Sequence, residues 1–293
     1  MEVETNVTLL NVTDDPGPLV EGIASISYQT QRFYAKKHPR LVKFASGRVV
    51  SLDELGLEGD PEVGKPLPGY SKDEVYVAEV IPATWERVVK FLLAIGHHNP
   101  FECCHATFLL ENITRKASLH LLRYKFCVFN MQSQKYRDQG SFEYLLPPIG
   151  ESPPGTRRMV SNMMGAMQGF YEELRKTGID PEWSRCVYPN NVAQTITMST
   201  NFRQWRHIFD CLCDDDYVPE DRFIMMKILR VLQNECPVFF DDYIVSDDRR
   251  SAKRRNTKYA RNKKVNWSMS PEMKAEFGLE VPGQIKGEEV DIP

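Results

Sequence analysis

Between Gly96 and Arg137 the chain reads GHHNPFECCHATFLLENITRKASLHLLRYKFCVFNMQSQKYR, a stretch where cationic, hydroxyl and amide side chains recur at close spacing. Arg123-Tyr124-Lys125 is followed, after seven residues, by Ser133 and then by Lys135 and Tyr136. Arg123, Lys125, Lys135 and the later Arg185 are candidates for contacts to an anion, with Gln132 and Ser133 as neutral hydrogen-bonding partners. Charge-assisted bonds to phosphate oxygens are about twice as strong as neutral ones, so this set suits a phosphorylated ligand. An ordinary half-exposed strand whose lysines face water fits the same letters, and spacing alone leaves both readings open.

The same stretch gathers His97, His98, Cys103, Cys104 and His105, types that bind zinc. Adjacent cysteines are poor geometry for one tetrahedral site, so packed histidines and buried thiols are the expectation and no metal is assigned. The seven cysteines form no C-x-x-C pair and no disulfide framework, which points to reduced thiols.

Elements must hold these groups in place, and 293 residues with 42% hydrophobic content can bury one large core or two small ones. Val7–Val12 reads as a strand ending in the turn DDPGP, and an ordered element begins at Gly22. From Thr30 to Pro82, glycines and prolines among charged residues dissolve the periodicity, marking a long insertion or a small appended subdomain. Trp85–Ile95 has helical spacing and stops at Gly96. His105–Ile113 suits a strand, and Thr114 is positioned to cap a short helix running to Leu122.

Phe126–Tyr136 is expected to be a second strand in that region, with Cys127, Phe129, Met131, Ser133 and Lys135 on one face. Val160, Met163, Met164, Met167, Tyr171 and Leu174 form one helical stripe that ends at Gly178. Three further helices are expected over Pro181–Val187, Arg203–Leu212 and Pro219–Glu235, making the C-terminal half largely helical.

No run approaches the roughly 18 apolar residues that span a bilayer, and the acidic N-terminus is unlike a signal peptide, so a cytoplasmic protein is expected. A net charge of −3 argues against a surface devoted to nucleic acid. Beyond Ser246, nine lysines and arginines crowd into the sixteen residues from Arg249 to Lys264. A solvated tail is the expectation for them, and nucleic acid is not an expected partner.

Several separated motifs, in order, resemble the flavin-dependent thymidylate synthases. That family's signature, Arg-His-Arg, seven residues and Ser, followed closely by Arg-Tyr, is similar to Arg123-Tyr124-Lys125, Ser133 and Lys135-Tyr136. Its Gly-His-x-[ST]-Pro-Phe-Glu segment resembles Gly96–Glu102, and counterparts of its later motifs stand at Arg185–Asn191, Asn201-Phe202-Arg203 and Cys236-Pro237. Ordered motifs weigh more than any one alone. The resemblance covers roughly residues 5–30 and 85–245.

The resemblance implies an α+β fold, with an antiparallel sheet and a largely helical C-terminal half. It implies one domain over residues 1–246 with an insertion at about 30–84, followed by a basic then acidic extension over 247–293. It places FAD against Asn99, Glu102, Arg123, Tyr124, Lys125, Asn201, Arg203 and His207, between subunits of a homotetramer. It places a uridine nucleotide against His120, Arg123, Gln132, Ser133, Lys135 and Arg185, with His120 where the family has Gln. The implied reaction moves a methylene from methylenetetrahydrofolate to C5 of dUMP and reduces it with flavin hydride drawn from NADPH.

Departures from the pattern bear on that reaction. Tyr124 replaces His, Lys125 and Lys135 replace arginines, Met131 replaces Glu, and Leu212 falls where the family's Arg meets the pyrimidine. Lysine keeps the charge but lacks the planar fork of arginine. A lost donor beside developing charge is worth roughly 3–4 kcal/mol, so either Arg206 or Arg222 supplies it, or the substrate is UMP or another pyrimidine nucleotide, or the chain is a catalytically silent nucleotide binder.

Overall fold

A computed structural model describes residues 3–27, 40–44, 46–52, 54–57, 61–65, 77–81, 84–133, 142–146 and 155–255. In chain order its elements are β1 (Asn6–Val12), α1 (Pro16–Ser27), β2 (Leu41–Phe44), β3 (Val49–Ser51), β4 (Val77–Ile81), α2 (Thr84–Ile95), a 3-10 helix (Asn99–Cys103), β5 (His105–Thr114), α3 (Arg115–Leu121) and β6 (Val128–Met131). There follow α4 (Thr156–Lys176), α5 (Pro181–Ser184), a second 3-10 turn (Arg185–Val187), β7 (Ala193–Asn201), α6 (Phe202–Leu212), α7 (Pro219–Glu235), α8 (Pro237–Phe240), β8 (Tyr243–Val245) and β9 (Ala252–Arg254). The described residues fall into two compact units, one from residues 3–14 with Phe101–Arg255, the other from within Asp15–Pro100. Among the described residues no helix is long and apolar enough to cross a membrane.

The first unit is built on an antiparallel sheet in the order β1-β5-β7-β6. Its centre is β7, whose Gln194, Ile196, Met198 and Thr200 are buried while the alternate positions are half-buried, the period-2 pattern of a sheet with one covered face. On β5, Ala106, Phe108 and Leu110 share the covered face until Asn112, at φ 54°, shifts the register. The extra residue turns Ile113 inward instead, as a bulge does. On the half-buried face the Thr107 and Ser199 hydroxyls meet at 2.7 Å.

Aromatic packing fastens α6 to this sheet. The Trp205 indole N–H donates to the Ala106 carbonyl at 3.2 Å, its ring meets Phe108 edge-on, and Phe202 meets Phe239 and Phe240. Ile224, Met225, Ile228, Leu229 and Leu232 of α7 are buried. Arg206 is buried in this core, its guanidinium paired with Asp242 at 2.7 and 2.5 Å and bonded to the Phe239 carbonyl. A smaller cluster joins Met164 of α4 to Phe142 and Val192, with Tyr171 and Tyr188 rings 4.9 Å apart.

In the second unit, β3-β2-β4 form an antiparallel sheet around Val42, Phe44, Val50, Leu52 and Val77. Helices α1 and α2 pack closely there: a Cβ at Gly17 would come within 2.1 Å of the Trp85 ring, so only glycine fits. Arg40 meets the buried Glu86 at 2.6 Å.

The α+β class, the antiparallel sheet and the helical C-terminal half follow the sequence reading. Other expectations are corrected. The strand expected over Phe126–Tyr136 spans only Val128–Met131, because Phe126 and Cys127 belong to the preceding turn, where the Cys127 N–H donates to the Tyr124 carbonyl; residues 134–136 lie outside the described residues. The stripe on α4 is broken by Met163, which is 53% exposed, since helical spacing locates a face without saying how much of it is covered. Within the aperiodic Thr30–Pro82 stretch lies the β2–β4 sheet, whose strands of three to five residues are too short for alternation to register.

Candidate functional site

The turn carrying Arg123-Tyr124-Lys125 is fixed from both sides. Thr114 caps α3 by accepting from the Ala117 N–H at 3.0 Å, and Glu220 of α7 accepts from the Thr114 N–H at 2.9 Å and its hydroxyl at 2.7 Å. At the other end of α3 the Arg123 N–H donates to the His120 carbonyl and the Tyr124 N–H to that of Leu121. Thr200 of β7 donates its hydroxyl to the Phe126 carbonyl at 2.7 Å, tying the turn to the central strand. Arg123 and Lys125 stand exposed, with no ion pair among the described residues, while Tyr124 turns inward.

Alongside the turn runs the outer face of α6. Asn201 begins that helix by accepting from the Gln204 N–H at 2.8 Å. Arg203, His207 and Cys211 then follow at four-residue steps on its exposed side. Arg203 pairs with Glu102 at 2.5 Å, and the His207 ring meets Tyr124 edge-on, centroids 6.2 Å apart. Burial pushes the Tyr124 phenol well above its ordinary pKa, and Cys211, Tyr217, Asp221 and Cys127 push it further. Burial likewise raises the Cys211 thiol, with Asp210 adding and a hydrogen bond to Tyr124 opposing. The structure thus brings together Glu102, Tyr124, Arg203 and His207.

One turn before Arg123, the His120 Nδ1 lies 2.7 Å from the Asp221 Oδ2 on α7. Asp221 is fully buried, and its other oxygen has no hydrogen-bond partner among the described residues. Burial raises this carboxyl above the usual range, while His120 and Lys116 draw it down. The remaining candidates are more dispersed. Gln132 donates its N–H to the Thr195 carbonyl at 3.1 Å, Ser133 stands exposed at the end of β6, and Arg185 pairs with Glu182 one turn away at 3.5 Å. Asn99 opens the first 3-10 helix and is exposed; Lys135 lies outside the described residues. Among the described residues no group of His, Cys, Asp and Glu could hold a metal ion.

Residues 8–238 match the model of the family described as Thymidylate synthase complementing protein. The chain belongs to this family. It is 26% identical over 170 residues to the flavin-dependent thymidylate synthase of Corynebacterium glutamicum, covering 53% of this chain and 68% of that protein. The corresponding protein of Geobacter sulfurreducens is 29% identical over 154 residues, covering 52% and 66%. That of Corynebacterium diphtheriae is 22% identical over 197 residues, covering 62% and 73%.

Family membership makes the departures informative. Leu212 is 1% exposed at the end of α6, packed in the core. Neither arginine considered as its replacement is free: Arg206 is buried against Asp242, and Arg222 donates to the Asp214 and Asp215 carbonyls. Asp221 and Cys211 did not stand out in the sequence. Asp221 lies in the ordinary acidic first turn of α7, and only the pairing of α7 with α3, about a hundred residues apart, gives it a partner.

Proposed function

We propose that this member of the family is a flavin-dependent enzyme that methylates C5 of a uridine monophosphate, in the simplest case converting dUMP to dTMP. Methylenetetrahydrofolate would provide the carbon and NADPH the reducing equivalents. The observation that carries the reading is the joining of two motif segments, the Arg123–Lys125 turn and the Asn201–His207 face of α6, through Tyr124 and His207.

The residues present fit a flavin dinucleotide. Arg123 and Lys125 are exposed cations without ion pairs among the described residues, suited to a pyrophosphate, and Arg203, paired with Glu102 of the first 3-10 helix, stands on the same face of α6 as His207. Asn99, Tyr124 and Asn201 complete the proposed cofactor set. A bound flavin would supply the hydride. The chain's own side chains bind and orient: Ser133, Lys135 and Arg185 take the nucleotide phosphate, and His120, Arg123 and Gln132 take the rest of the nucleotide. A homotetramer in the cytoplasm, with the segment 30–84 as an insertion and 247–293 as an extension of the catalytic domain, completes the proposal.

Purified protein is expected to show flavin absorbance and to release tritium from 5-labelled dUMP or UMP when folate and NADPH are supplied. A colourless protein that cannot be reconstituted with FAD would overturn the flavin reading. The buried Leu212 favours a second reading, a nucleotide-binding homologue without turnover. Flavin and nucleotide binding with no tritium release from either substrate would select it.

A further inference from the structure

The His120–Asp221 pair uses one face of the imidazole and leaves the other free. Nδ1 is committed to Asp221 at 2.7 Å, and among the described residues no hydrogen bond engages Nε2. The His120 side chain is 25% exposed and that of Asp221 1%, so the buried carboxylate anchors a ring whose opposite edge reaches the surface. This edge stands three residues before Arg123, at the entrance to the motif turn, and the Arg123 N–H bonds to the His120 carbonyl. Leu212 lies in the core, and Arg206 and Arg222 are held by Asp242 and by the Asp214 and Asp215 carbonyls.

Resting on the nucleotide reading above, we propose that His120, oriented by Asp221, is the specificity-determining donor to a carbonyl oxygen of the pyrimidine, acting as an imidazolium in place of the missing arginine. A protonated ring donates from both nitrogens: Nδ1–H to Asp221 and Nε2–H outward to the base. Asp221 is a positioning residue. It selects which nitrogen faces the ligand and balances the charge of the ring. The titratable groups that act on Asp221 are His120 and Lys116, both on α3; Tyr124 in the turn faces Asp221 and, besides it, Cys211, Tyr217 and Cys127. Glu220 binds the far end of α3 through Thr114.

The test compares dUMP and UMP affinity of the full chain and of His120→Gln from pH 5.5 to 8.5. The ligand phosphate titrates identically in both measurements, so the ratio of their Kd values isolates the histidine. The ratio should be roughly 10- to 100-fold at the acid end, the value of a hydrogen bond to a charged group, and fall toward unity as pH rises. Asp221→Asn should flatten the same profile while retaining measurable binding. Binding with a pH-independent ratio overturns this inference alone; no binding of either nucleotide to the unaltered chain at any pH overturns the nucleotide reading and this inference with it. Imidazole nitrogen-15 shifts of the ligand-free protein give a separate check, with Nδ1 of His120 expected to carry a proton across the range and free tautomer exchange excluding the proposed anchoring.

Discussion

Arg206 and Asp242 meet through two parallel bonds, Nη1 to Oδ1 at 2.7 Å and Nη2 to Oδ2 at 2.5 Å, with the arginine side chain 2% exposed. The pair joins α6 to the chain beyond α8, and the Tyr243 ring lies 5.0 Å from the guanidinium. Removing one partner leaves a buried charge unpaired, so Asp242→Asn should lower unfolding free energy by roughly 3–5 kcal/mol. The double change Arg206→Met with Asp242→Leu should recover most of that loss. Urea unfolding of the three proteins is the measurement, and a double variant no more stable than Asp242→Asn would refute the account.

Placing at position 212 the arginine that the resemblance leads one to expect there should not create a functional site. Leu212→Arg would force a guanidinium into a position that is 1% exposed, at a cost of at least about 3 kcal/mol. Tritium release should not rise above that of the unaltered chain. A stable, more active variant would show that the end of α6 can open to the ligand.

Thr200 offers a gentler perturbation of the motif turn. Thr200→Val keeps the shape and removes the 2.7 Å bond to the Phe126 carbonyl, which should cost about 1 kcal/mol. Because that bond ties the turn to β7, nucleotide affinity should weaken along with the thermal midpoint. Unchanged affinity in a destabilised protein would place the turn outside the binding site.

Three buried thiols set an alkaline limit. Burial pushes Cys104 and Cys213 up to about 12 and Cys236 up to about 11, from an ordinary 9.0, with Cys103 and Asp210 adding to the first two respectively. A folded-state pKa above the unfolded one contributes stability that is complete below the unfolded value and lost as pH rises toward the folded one. Stability should therefore fall from about pH 9 upward, by up to about 1.4 kcal/mol per pH unit for each thiol. Unfolding measured at pH 8, 9 and 10 checks this, and Cys213→Ala should make the decline shallower. At pH 8 the same three thiols should resist iodoacetamide while exposed Cys103 and Cys186 react.

What could be read from the sequence was local. Thr114 announced a cap because its hydroxyl satisfies a bond within three residues, and α6 and α7 carried helical spacing over three or more turns. The central strand β7 was not anticipated. Its alternation of Gln194, Ile196, Met198 and Thr200 with other polar residues mixes polar side chains onto the buried face, and two of these are satisfied by partners distant in the chain, Ser118 for Gln194 and Phe126 for Thr200. In the site, motif letters located the turn and the α6 face, whereas the commitments of Arg206 to Asp242 and His120 to Asp221 cross 36 and 101 residues and leave no periodic trace.

The chain leaves its first unit after Asp14 and returns to it at Phe101; just inside those limits the Thr13 N–H donates to the His105 carbonyl at 2.9 Å and the His105 N–H to the Thr13 hydroxyl at 2.8 Å. Pairing β1 with β5 therefore closes a loop holding all the intervening elements. Closure entropy grows only logarithmically, about 0.6 kcal/mol for each doubling of length, so a long excursion weakens the sheet little at equilibrium. Its larger effect is on timing. During synthesis β1 must wait for β5 to emerge, and the β2–β4 sheet, with a core of its own, is free to form during that interval.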